Sequence, residues 1–170
     1  LRVTYEQFCA MSLNNRRNRQ GDVVKLDVVL DGLVRAVGAL PRGDDGIAAT
    51  IAAMQAVVDH AVFDPRARPL LAEVVRIVRA VAPVQHSIDF ADRLFAWARE
   101  KIEFSRDPPG VELVRHPRDV LQAIRDDGRA RVDCDDLAVL LAAVLALHGA
   151  RPVFLTVGRA RGGRFEHDLL

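Results

Sequence analysis

Apolar positions recur at helical spacing through most of the chain, and strand-like runs appear only toward its end. Ile47, Ile51, Met54, Val58 and Ala61 stand three or four apart, which predicts one face of a helix. Asp64-Pro65 supplies a stop and a new start, with Asp as cap and Pro at the first position of the next helix. Leu71, Val74, Val75, Val78 and Val81 form a stripe on that helix, and Pro83 breaks it. Ser87 can cap a further helix that carries Phe90, Leu94, Trp97 and Ala98 on one face. Lys101-Ile102-Glu103-Phe104 leads out into the turn Asp107-Pro108-Pro109-Gly110. Pro117 opens a short helix with Val120, Leu121 and Ile124, and Asp126-Asp127-Gly128 ends it.

A strongly apolar helix then runs from Cys134 to about Leu147, with Gly149 placed just past its end. Residues 22–40 mix Val, Leu and Asp and fit a helix, or a strand followed by a helix. Pro41 to Gly46 reads as a loop. Pro152 to Val157 and Arg164 to Leu170 are strand signals joined by the basic turn Gly158 to Gly163. Helices first and an antiparallel hairpin last make an α+β pattern.

The chain has 170 residues, half of them hydrophobic, enough for one domain or for one domain with a helical extension. Three stretches are expected: an irregular basic arm over 1–21, a helical lead-in over 22–68, and a core over 69–170. The arm carries Asn14-Asn15-Arg16-Arg17-Asn18-Arg19-Gln20-Gly21, which reads as a solvated linker or a docking segment for a larger assembly. With 24 basic and 23 acidic residues, bulk charge gives no reason to expect nucleic-acid binding. No run reaches the roughly 18–20 apolar residues that span a bilayer, so no membrane segment is expected. The chain opens on Leu1 and stops three residues after His167, so we expect a fragment.

The candidate chemistry lies in Asp133-Cys134-Asp135-Asp136 and in Phe165-Glu166-His167. A cysteine at a helix start, followed by strand, turn and a strand with histidine, can bring a thiol to an imidazole. The helix N-terminus favours the thiolate and offers unpaired N–H groups to an oxyanion. Asp133, Asp135 and Asp136 act the other way, because negative charge raises a thiol pKa. Cys134 therefore needs an imidazolium, and His167 is the best placed candidate. The bland alternative is a buried, inert cysteine.

No second closely spaced Cys or His accompanies the pair, so no metal and no cofactor is expected. His60, His86 and His116 sit at element ends and read as solvated or capping. His148 closes the Cys134 helix about 21 Å from the thiol and cannot be its base. Cys9 lies in an irregular segment without a basic neighbour and reads as non-catalytic.

From about Leu70 to Leu170 the chain resembles the transglutaminase-like superfamily, a branch of the papain-like cysteine-nucleophile fold, in its bacterial and bacteriophage form. The matching text is Phe95 to Phe104, Asp107, Glu112, Pro117, the box Asp133-Cys134-Asp135-Asp136, Leu140 to Ala143, Leu147 to Pro152, the Phe154-to-Val157 strand and Phe165-Glu166-His167. The resemblance implies a cysteine peptidase or amidase acting on a protein or peptide through a thioester. Cys134 would be the nucleophile and His167 the general base and acid. An orienting Asp would follow on a strand beyond Leu170.

The helical lead-in resembles that of phage-type members, which implies the bacterial cytoplasm or a phage particle as location. Phage structural proteins would be partners through the basic arm. The rival expectation is a catalytically inactive structural module of a phage tail or virion.

Overall fold

The computed structural model describes residues 25–30, 33–40, 44–81, 87–108 and 111–155. Within them the chain is mixed α and β and mostly helical. Strands β1 (Lys25–Leu30) and β2 (Leu33–Ala39) come first, then helices α1 (Asp44–Phe63), α2 (Ala67–Ala80) and α3 (Ser87–Lys101). Strands β3 (Ile102–Phe104) and β4 (Val111–Arg115) follow, then α4 (Pro117–Asp127), β5 (Ala130–Val132) and α5 (Cys134–His148).

Residues 25–39 hold two strands, where the sequence fits a helix or a strand followed by a helix, so the strand is met and the helix is not. Here β1 pairs antiparallel with β2, from Lys25 opposite Ala39 to Leu30 opposite Leu33, with a register shift at Leu26/Asp27. The two residues between the strands are Asp31-Gly32, the pair favoured in two-residue hairpin connections. Leu26 and Val28 point into the core at period two, which a Val-rich run supports better than a helix does. On its other side β1 pairs parallel with β4, giving the order β2-β1-β4. A second, two-stranded parallel sheet joins β3 to β5.

Helix α5 is the axis of the core. It is apolar on nearly every side and packs against α1, α2, α3, α4 and β4, as a central helix should. Val139, Leu140, Ala143 and Val144 have no exposed surface. From α1, Ala53, Met54, Val57, Val58 and Ala61 meet this core, and from α2, Leu71, Val74 and Val78.

Among the described residues, Asp45–Phe63 is long and apolar enough to cross a membrane by length and composition alone, although no unbroken apolar run marks it. Its apolar face is occupied by the rest of the core, as in the central helices of many globular domains.

Helix ends follow the sequence with small shifts. α1 starts at Asp44, inside the expected loop. α2 starts at Ala67, not at Pro65. Asp64 Oδ1 accepts the Arg66 N–H (3.0 Å), so it closes a local turn and leaves the helix start three residues later without a side-chain cap. Gly128 (φ +79°) and Gly149 (φ +100°) end α4 and α5 in the left-handed region, each returning an N–H to the last turn. Residues 152–155 form no strand, and the rest of the expected terminal hairpin lies outside the described residues.

Candidate functional site

Cys134 stands where the sequence puts it, at the first residue of α5. β5 delivers Asp133 in an extended conformation, and its carboxylate caps the helix by accepting the Asp136 N–H (3.3 Å). The half-buried Cys134 Sγ donates to Asp135 Oδ1 at 3.6 Å. Burial, then the charges of Asp135 and Asp133, push the thiol up to about 12. These neighbours thus hold Cys134 as a thiol at neutral pH, in spite of the helix N-terminus.

The surroundings are more acidic than the Cys box alone. Asp107, ahead of β4, accepts the Leu113 N–H with Oδ2. Asp136 is fully buried; its Oδ1 accepts the Arg115 N–H (2.7 Å) and its Oδ2 lies 3.3 Å from Arg115 Nη1. This pairing ties β4 to the first turn of α5. Burial raises Asp133 to about 6 and Asp136 to about 7, with the charge of Asp107 adding to both. Glu112 on β4 is pushed up to about 9 by burial and by its hydrogen bond to Asp135. A neutral Glu112 can therefore donate its proton to the Asp135 carboxylate, which is itself buried.

An apolar groove of about 270 Å³ starts at the thiol. Cys134, Leu137, Ala138, Leu141, Ala142 and Leu145 line one side of it as a single stripe of α5. Phe95 of α3 and the segment Pro152–Leu155 line the other. A ligand in this groove meets aliphatic and aromatic side chains along its length and the Cys134 sulfur at its end.

His167, Cys9 and His86 lie outside the described residues. His148 closes α5 at the far end from Cys134. It stacks on Phe90 (centroids 3.8 Å apart, 10° between planes) and its Nδ1 takes a hydrogen bond from Arg79 at 2.9 Å.

His116 caps α4, as its place before Pro117 suggests, but it is buried rather than solvated. Its Nδ1 accepts the Arg118 N–H (3.2 Å), so its ring proton sits on Nε2 and points to His60 Nδ1, 3.0 Å away. Burial, then His60, lower His116 to about 4. Asp64 completes the group: the ligand atoms of His60, Asp64 and His116 lie within 4.8 Å of one another.

Sequence spacing shows only the Asp133, Asp135 and Asp136 part of the acidic cluster and misses the histidine group, because Asp107, Glu112 and His116 come from separate elements. The local signal for the histidine group is His60 and Asp64, four apart at a helix end. Comparison with protein-family models, with curated proteins and with solved structures finds no match to this chain.

Proposed function

We propose that the protein is a transglutaminase-like cysteine peptidase or amidase that works through a thioester. In this reading His167 takes the Cys134 proton, and Sγ adds to a peptide or side-chain amide carbonyl. The N–H groups in the first turn of α5 stabilise the oxyanion. The C–N bond breaks as His167 returns the proton to the leaving amine, and water or a second amine releases the acyl group.

The observation that carries this reading is the half-buried thiol at the head of α5, set at the end of an open groove. A groove of that kind can seat an acyl donor beside the sulfur. The acidic neighbours work against ionisation, so in this reading a thiol pushed up to about 12 depends on a cation, which an imidazolium at position 167 would supply.

One observation favours a second reading. A thiol held so firmly in its neutral form also suits an inactive structural or assembly module of a phage particle that keeps the fold alone.

Iodoacetamide labelling of Cys134 against pH, in a Cys9→Ser background, separates the two. The enzyme reading expects a midpoint well below the ~8.5 of a free thiol, moved upward by at least one pH unit in His167→Ala. A midpoint at or above that of a free thiol, unchanged by His167→Ala, overturns it and leaves the structural module.

A further inference from the structure

We propose that His60, Asp64 and His116 form a binding site for a divalent transition-metal ion, zinc foremost. His60 and Asp64 stand four apart, and the Asp64 N–H still bonds the His60 carbonyl (2.8 Å), so the helical turn continues and both side chains leave on one side. The third ligand comes from another element. His116 is held by Pro117 at the start of α4, by its own N–H on the Val29 carbonyl (2.8 Å), and by near-complete burial. The group is thus fixed by tertiary packing rather than gathered by a flexible loop.

The spacing suits a shared ion. His60 Nδ1 and His116 Nε2 are 3.0 Å apart. Two imidazoles on a tetrahedral zinc, each at roughly 2.0–2.1 Å, have their nitrogens roughly 3.3 Å apart, so the rings need to move only slightly. Asp64 Oδ2 is buried and takes no hydrogen bond among the described residues; Arg118 Nη1 pairs with it at 3.6 Å. Two imidazoles and one carboxylate suit zinc, copper or nickel and are a poor set for calcium or magnesium. A fourth position is left for water or a ligand.

The proton balance is simple. The metal replaces the proton on His116 Nε2, and the neutral ring takes one on Nδ1 instead. The hydrogen bond from the Arg118 N–H is then given up, so binding competes with the cap of α4.

The test uses the full chain in a Cys9→Ser/Cys134→Ser background, stripped with EDTA and titrated with Zn²⁺ against a chromophoric chelator. Removing both thiols keeps this reading separate from the chemistry proposed for Cys134. We expect one ion per chain and, with Co²⁺, the visible absorption of a four-coordinate site. His60→Gln and His116→Asn should each weaken binding at least tenfold; Asn preserves an N-cap, so α4 keeps its start. Should His116→Asn lose its far-UV circular dichroism, His60→Gln at the end of α1 decides alone. Failure to bind Zn²⁺ at tens of micromolar overturns the proposal, and so does stoichiometric binding that His60→Gln leaves undiminished.

Discussion

Asp136 shows how one side chain sets the position of another element. It is fully buried, caps nothing itself, and reaches across to the main chain and guanidinium of Arg115 on β4. Cys134 lies two residues away, so the thiol's place relative to β4 depends on this contact. Removing the carboxyl group leaves the Arg115 N–H without its acceptor at a buried junction. Asp136→Ala should lower stability by about 1–3 kcal/mol in urea unfolding. Asp136→Asn, which can still accept the Arg115 N–H, should cost about 1 kcal/mol. Equal losses in the two variants would show that the charge, not the hydrogen bond, holds the junction.

At the scale of elements, what was legible depended on length. α2 announces itself through its stripe: Leu71, Val74 and Val78 are buried as it predicts, Val75 is half-buried, and Val81, past the helix end, is exposed. α5 was legible from its apolar run and from Gly149, and its start at Cys134 matches to the residue. The hairpin of β1 and β2 is only half legible, because Val, Leu and Ala in 25–39 suit either element and the strand-then-helix pattern covers only its first half. β3 and β5 have three residues each, too few to show a period, and only their pairing with each other defines them.

The reading of α5 as the buried axis carries its own test. Leu140 has no exposed surface and lies among side chains of several elements that cannot all collapse into its space. Leu140→Ala should therefore cost about 2–5 kcal/mol, measured by chemical denaturation. A loss under about 1 kcal/mol would mean that α5 is not at the centre.

At the scale of the whole molecule, the position of the thiol is legible in the sequence, but only part of its electrostatic setting is. Asp133, Asp135 and Asp136 are adjacent in sequence, whereas Asp107 and Glu112 arrive through β4 and the segment before it. Folding thus concentrates five carboxyl groups around one thiol and one close guanidinium, and the consequence is a pH dependence of stability. Glu112 rises from its ordinary range to about 9, Asp136 to about 7 and Asp133 to about 6.

In each case the folded chain keeps a proton that the unfolded chain releases near pH 4. Stability from these groups is fully present below their unfolded pKa values and is lost as pH rises through the folded ones. The unfolding midpoint should fall from about pH 5 to about pH 9 and level off above that. Glu112→Gln keeps a neutral hydrogen-bond donor beside Asp135 at every pH and should remove the most alkaline part of the fall. A midpoint that holds steady from pH 7 to pH 9 in the parent chain would show that cationic groups from elsewhere neutralise the cluster. Binding of a cation at the thiol would have the same effect, and His167→Ala would then restore the slope if the imidazole supplies that charge.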